Sequence, residues 1–357
     1  AYLKGMTGTA LGPIPVWMGE NMAPLIQAGV PLGETAIGLG LMGGALVRLA
    51  AFFGVFFMTL FWVGNAGFGH GLVNSDLMGL LLFATLMVFA AGRHYGLDAI
   101  IERIRDWLER YLEIESILKI DALDFEWPDE VRFRVSSMEE VEQAALDLRD
   151  AWEIGRDPLE NLTERLEDHA LRVGSIEAPE DFDACAFEAE VNGGIPVVVF
   201  NENRPGDRQR FSIAHELGHL VLDVGGDLEE EKACNRFSGA FLVPREGFVN
   251  DVGEQRRRIS QRELELLKQK YGVSMQALVY RMKDLDILSD YHAGQIFRWF
   301  RETGNHKEEP GEPVPREQPR RFERMVEHAM AEELITRRRA AELLDRDADD
   351  LPEPVLA

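Results

Sequence analysis

The hydrophobic positions change character along the chain. Up to about residue 95 they run together almost without charge, and from residue 96 onward they recur at helical or strand spacing among many charged residues. Three apolar stretches stand out, at roughly 33–47, 49–64 and 77–92, with runs such as LAAFFGVFFMTLFWVG and LMGLLLFATLMVFAAG. Each lies at or just below the roughly 17 residues a membrane-crossing helix needs, so the pattern predicts an all-α transmembrane segment of about three helices. A buried helical hairpin is the alternative, but three such stretches are hard to bury in one small domain. Gly40 and Gly44 have the spacing that lets helices approach closely, a weak signal in so glycine-rich a segment.

The rest of the chain alternates. IIERIRDWLERYLEIESIL is helical in pattern and makes residues 96–135 a connector, broken at Pro128. Ser137 and Glu140 have capping-box spacing ahead of VEQAALDLRDAW, with Gly155 where that helix should stop. Asp157-Pro158 restarts a helix with proline at its first position, and RVGSIE and IPVVVF are the clearest strands. Ser260–Leu288 has a helix-turn-helix layout around Tyr271–Ser274, preceded by Arg256, Arg257 and Arg258. Its second helix, MQALVYRM, offers mostly apolar side chains, so it reads as a packing subdomain rather than a reader of bases. NHKEEPGEPVPREQP reads as a Pro-rich linker to a last helical pair. The expected division is a membrane segment at 1–95, the connector at 96–135, an α+β domain with a small sheet at 136–305, and linker plus helical pair at 306–357. The helix-turn-helix-like subdomain falls at about 256–290 of the third.

Charge sharpens this division. Lys4, Arg48 and Arg93 balance Glu20, Glu34 and Asp76, so the whole net charge of −24 lies beyond residue 95. So acidic a surface repels phosphates and argues against direct nucleic-acid binding. Cys185 and Cys234 are too few for a disulfide framework and fit a reducing cytosol. Arg48 and the group Arg93, Arg103 and Arg105 fall on one side of three crossings, which the positive-inside rule makes cytoplasmic. The expected location is therefore a membrane, with the acidic part in the cytoplasm. The chain opens at Ala1 without a signal-peptide layout and reads as a fragment or processed product. Glu34 and His70, in or beside apolar helices, are read as solvated at the interface, quinone or proton chemistry being the sharper alternative.

The chemistry is concentrated in FSIAHELGHLVL. On a helix, residues four apart share a face, so His215 and His219 can bind one ion, and Glu216 projects beside it to take a proton from water. Gly218 lets another backbone element come close. A catalytic zinc site needs a third protein ligand. Asp223 is the nearest acid, but an unbroken helix carries it a full turn beyond His219. A second helix begins at EEEKACNRFSGAFLVP, with Ala233, Phe237, Ala240 and Phe241 at inward spacing. Glu231 lies near that inward side and is the candidate third ligand, with Glu230 the runner-up.

RFSIAHELGHLVL followed by EKACNRFSGAFLVP resembles the ImmA/IrrE family of zinc metallopeptidases, over about residues 108–345. The resemblance implies a zincin-like fold, Zn2+ held by His215, His219 and Glu231, and Glu216 as catalytic base. It also implies a narrow protein substrate such as a transcriptional regulator. Cys234 stands where the family usually has alanine, and Ser238-Gly239 replaces Ala-Ala. Relatives often carry an upstream DNA-binding domain, and this chain instead has a segment over about 1–104 that resembles the DoxX family of small membrane proteins. GETAIGLGLMGGALVRLAAFFG, GNAGFGHG and AAGRHYGLDAIIER carry that likeness. The expected function is a zinc endopeptidase cutting a regulatory protein at the cytoplasmic side of a membrane. The alternative is a DoxX-like redox or quinone-linked subunit with a non-catalytic zinc domain. The strand Ile195–Phe200 is expected at a cleft edge, taking an extended substrate by strand addition.

Overall fold

The structure is a computed structural model describing residues 17, 20–64, 75–89, 96–120, 132–190 and 194–352. The loop with His70 and the break at Pro128 lie outside the described residues. The chain divides into two compact units, 1–106 and 107–357.

In the first unit the apolar runs become helices α1 (Ala23–Met42), α2 (Val47–Gly64) and α3 (Ser75–Phe89), followed by the start of α4 (Leu97–Ile117). Glycine notches set the contact between α2 and α3. A Cβ at Gly54 would lie 2.5 Å from the Phe83 ring, and one at Gly79 would lie 2.8 Å from the Met58 sulfur. Asp98 accepts the backbone N–H groups of Leu46 and Val47 at 2.8 and 3.0 Å, satisfying donors at the start of α2.

Among the described residues no helix is long and apolar enough to cross a membrane. This overturns the transmembrane segment expected from the sequence, and with it the membrane location and the cytoplasmic side assigned to the acidic domain. The physical reason is how the apolar runs are divided. With 15 residues, α3 rises only about 22 Å against a hydrocarbon core of about 30 Å. Helix α1 has 20 residues, but Gln27, Pro31, Glu34 and Thr35 interrupt its apolar surface, and Glu34 is exposed.

The second unit is α+β. Helices α5 (Met138–Ala151) and α6 (Leu162–Asp168) precede strand β2 (Arg172–Ile176). Strands β3 (Ala184–Ala189) and β4 (Ile195–Asn201) then lead to α7 (Gly206–Val221). Ser137 and Asn161 cap α5 and α6 through their side-chain oxygens. The second helix therefore starts at Asn161 rather than at the Asp157-Pro158 expected from the sequence.

Beta-branched IPVVVFN makes β4 the central strand, buried along its whole length, with β2 parallel on one side and β3 antiparallel on the other. Both edges of β4 are thus occupied, and the strand-addition role expected of Ile195–Phe200 is not open to it. The edge strands of this sheet are β2 and β3. A separate parallel pair joins β1 (Phe133–Val135) to β5 (Leu222–Val224).

Helix α7 packs on this sheet and on α8 (Glu230–Leu242). Ile213, Ala214, Leu217 and Val221 of α7 meet Ala233, Phe237, Ala240 and Phe241 of α8 in a core sealed from solvent. A Cβ at Gly218 would lie 3.3 Å from both Cys234 Cα and the Phe237 ring, so a side chain there would press the two helices apart. After α9 (Arg245–Val252), the helix-turn-helix layout is built by α10 (Gln261–Tyr271) and α11 (Met275–Asp284), with Gly272 at φ +66°. Met275, Leu278, Val279 and Met282 of α11 are buried. Arg281 of α11 is also buried, donating to the Glu142 carboxylate and at 2.8 Å to the Val243 carbonyl.

Beyond α12 (Asp290–Thr303), residues 306–317 do not behave as the linker their proline content suggested. Glu309 receives the backbone N–H of Met275 at 2.9 Å, that of Gln276 at 3.2 Å, and Lys268 Nζ at 2.9 Å. Glu317 is buried, paired with Arg210, and accepts the N–H groups of Leu162 and Thr163 at the start of α6. Between these anchors the carbonyls of Val314 and Pro315 lie so close to Gly206 that any Cβ there would collide with them. Gly206→Ala is expected to lower stability by about 1–3 kcal/mol or more, because neither backbone can give way, and denaturant melts would measure this.

Helices α13 (Arg321–Ala331) and α14 (Arg337–Leu344) close the chain. Glu167 accepts the backbone N–H groups of Arg320 and Arg321 at the start of α13. Burial pushes its carboxyl up to about 7, against the pull of those N–H groups and of Arg324 and Arg321. A carboxyl that holds its proton more tightly folded than unfolded contributes fully below about 4.5, and that contribution fades as pH rises toward 7. The expected loss is about 3 kcal/mol, the full width of that shift. Tm measured from pH 4 to 8 should fall with this component in the wild type and lack it in Glu167→Gln.

Candidate metal centre

Helix α7 presents His215 and Glu216 to an open cleft with His219 one turn on, and the first turn of α8 brings Glu230 and Glu231 against the histidines. The Nε2 atoms of the two histidines face each other at 3.1 Å. Glu231 places one carboxylate oxygen 3.3 Å from His215 Nε2 and the other 3.6 Å from His219 Nε2. One ligand atom from each of the three residues falls within 4.8 Å of the others.

The other ring nitrogens decide what this cluster can hold. His215 Nδ1 lies 3.1 Å from Asn235 Oδ1, and His219 Nδ1 lies 3.0 Å from a Glu230 carboxylate oxygen. Both partners are acceptors, so each neutral ring carries its proton on Nδ1 and presents a bare lone pair at Nε2. Two lone pairs and a carboxylate converging on one point repel one another unless a cation lies among them. The donor set therefore fits a divalent metal with two imidazoles and one carboxylate.

The geometry also separates the two acids left open in sequence. Glu231 converges with the Nε2 atoms, whereas Glu230 approaches His219 from the opposite ring nitrogen. Asp223 sits in β5, in register with Arg134 of β1 and outside the cluster, and Glu229 pairs with Lys232 at 2.5 Å. Asn235 was not singled out from sequence. Its position four residues after Glu231, on the same helical face, is the signal that would have found it.

Glu216 is held differently. Burial raises its carboxyl above the ordinary range, with the two histidines and a hydrogen bond from the Ala186 backbone N–H pulling it back. That N–H belongs to β3, so one edge strand of the sheet reaches the site. Burial, with the Glu216 charge, pushes the neighbouring Cys185 thiol up to about 11, and burial takes Cys234 up to about 12. Both thiols stay protonated at neutral pH, and neither joins the ligand cluster.

Residues 178–283 match the family model Peptidase_M78, described as the IrrE N-terminal-like domain. The stretch runs from just before β3 through α11, and so contains the whole cluster. No curated protein matches the chain. The match supports the ImmA/IrrE family for this region, and with it a metallopeptidase class of hydrolase and a bound metal. A DoxX-like segment over residues 1–104 is not shown.

Proposed function

We propose that the chain is a zinc-dependent endopeptidase of the ImmA/IrrE type that cuts a specific regulatory protein. The observation that carries this reading is the convergence of His215 Nε2, His219 Nε2 and the Glu231 carboxylate beside an open cleft that His215, Glu216 and Glu231 line. Two imidazoles and one carboxylate are the donor set of a catalytic zinc rather than of a closed structural site. The cleft volume of about 1860 Å³ exceeds the roughly 300–1,000 Å³ typical of small-molecule pockets and suits a stretch of polypeptide. The ImmA/IrrE resemblance adds the expectation of a narrow substrate such as a transcriptional regulator.

When bound, zinc supplies a Lewis acid and brings the pKa of its water near 7. The chain's own residues handle geometry and protons. Asn235 and Glu230 hold the two imidazoles in the tautomer and orientation a ligand needs. Glu216, with its raised proton affinity and its anchor on Ala186, takes the proton of the attacking water and passes it to the leaving nitrogen as the C–N bond breaks. The outer edge of β3, beside the Ala186 N–H that Glu216 accepts, is the surface on which an extended substrate adds as a strand, in place of Ile195–Phe200.

The test is metal-dependent cleavage. Chelation should abolish proteolysis of the substrates found by comparing proteomes treated with wild type and with Glu216→Gln, and one equivalent of zinc should restore it. Cleavage that persists in the chelated protein would sink the reading.

A further inference from the structure

The first turn of α7 carries an anchoring platform. Asp207 pairs with Lys268 at 3.1 Å, and Lys268 pairs in turn with Glu309. Gln209 Oε1 accepts the N–H of Glu317 at 3.0 Å, Arg210 pairs with the Glu317 carboxylate, and Gly206 leaves room only for the carbonyls of Val314 and Pro315. Residues 306–317 are thus strapped at both ends to the helix that bears the histidines, through ion pairs hidden from water. The strap lines the same cleft as His215, Glu216 and Glu231. It also lies outside the stretch that matches the peptidase family.

The strap carries Lys307 and Arg316 against Glu308, Glu309, Glu312 and Glu317, but Glu309 and Glu317 are spent on Lys268 and Arg210, and Glu312 does not line the cleft. Lys307 and Arg316 are exposed in the cleft wall, and no ion pair holds either among the described residues. Around the cleft, basic side chains number eight and acidic ones seven, whereas the whole chain has 38 Lys and Arg against 62 Asp and Glu. A bound divalent metal would tilt this balance further. Within a protein of net charge −24, a lining so near to balance repels a negative segment less than the chain's average composition would. Pro310, Pro313 and Pro315 remove backbone donors from the strap, so its backbone is poorly suited to strand pairing and recognition there falls to side chains.

We propose that residues 306–317 are the selecting wall of the cleft, and that Lys307 and Arg316 read acidic side chains on an extended polypeptide seated between the strap and the metal centre. The proposal rests on the peptidase reading of the cleft and adds to it the chemistry of the substrate.

Two mixtures of quenched-fluorescent decapeptides test it, one enriched in Asp and Glu and one in Lys and Arg, offered to the zinc-loaded full chain. Cleavage is measured with wild type, and binding by fluorescence anisotropy with Glu216→Gln. The acidic mixture is expected to be preferred at least tenfold at low salt, with the preference fading near 1 M salt. The double variant Lys307→Glu/Arg316→Glu is expected to level or reverse it, with zinc content and Tm unchanged. If acidic peptides bind the Glu216→Gln protein preferentially but wild type cuts none, the strap proposal stands and the peptidase reading falls. A preference that survives the double variant, equal treatment of the two mixtures, or binding of neither overturns the proposal. Should the double variant fold poorly, Lys307→Gln/Arg316→Gln replaces it, with loss of the preference as the expected result.

Discussion

Glu216→Gln is expected to lower turnover by about 10²–10⁴-fold, the range contributed by a positioned general base, while zinc stays bound at one equivalent. The two functions separate because Glu216 is not in the ligand cluster. The candidate ligands His215, His219 and Glu231 converge without it, and Glu216 turns instead toward the Ala186 N–H of β3. Gln keeps the size of Glu and an oxygen that can still accept that N–H, so the fold should tolerate it. What it loses is the capacity to take a proton from water. Single-turnover cleavage, zinc analysis and a thermal melt of the same preparation test this. Activity within a few fold of wild type would remove Glu216 from the mechanism, and loss of zinc would make it a ligand or a structural support.

The second large effect is expected at the two adjacent glutamates, which the structure gives different work. Glu230→Gln removes a charged partner from His219 Nδ1, and such partners are typically worth about 10–100-fold in metal affinity. Glu231→Gln removes a donor atom itself and should weaken zinc well beyond that range, with activity falling in parallel. Both side chains are more than half exposed, at 63% and 67%, so neither change should alter the Tm of the metal-free protein by much. Competitive titration against a chelator of known affinity compares the two directly. Equal losses, or a larger loss at Glu230, would reverse the assignment.

The distinction between these glutamates shows where sequence reasoning stops. His215, Glu216 and His219 were legible because their relation is local, since any helix puts residues four apart on one face. Glu231 was legible only as a candidate, since its place at the metal depends on how α8 packs across α7. That packing turns on Gly218 meeting Cys234 and on Phe237 filling the space beside it. The strands show the same limit. IPVVVF was plain as a strand from its beta-branched run, but whether it lay at an edge depended on β3, whose ACAFEA has no such signature. Pairing on both sides of β4 moved the expected substrate edge to Ala184–Ala189.

The apolar first third was misread for a related reason. A hydropathy pattern measures how much apolar surface a stretch carries, and only the folded helices say where each run is cut. Here α3 has only 15 residues, Pro31 and Glu34 interrupt α1, the 18 residues of α2 rise only about 27 Å, and no described helix is long and apolar enough to cross a membrane.

By itself, then, the sequence determined what is written at short range: His215, Glu216 and His219 on one helix, the Ser137 cap, IPVVVF as a strand and the sign of the charge. Tertiary structure alone decided which glutamate meets the two Nε2 atoms, the pairing on both sides of β4, the fate of the apolar runs, and the seating of residues 306–317 on Gly206, Gln209 and Arg210. Those features join residues far apart in the chain, through packing and buried ion pairs that no local spacing encodes.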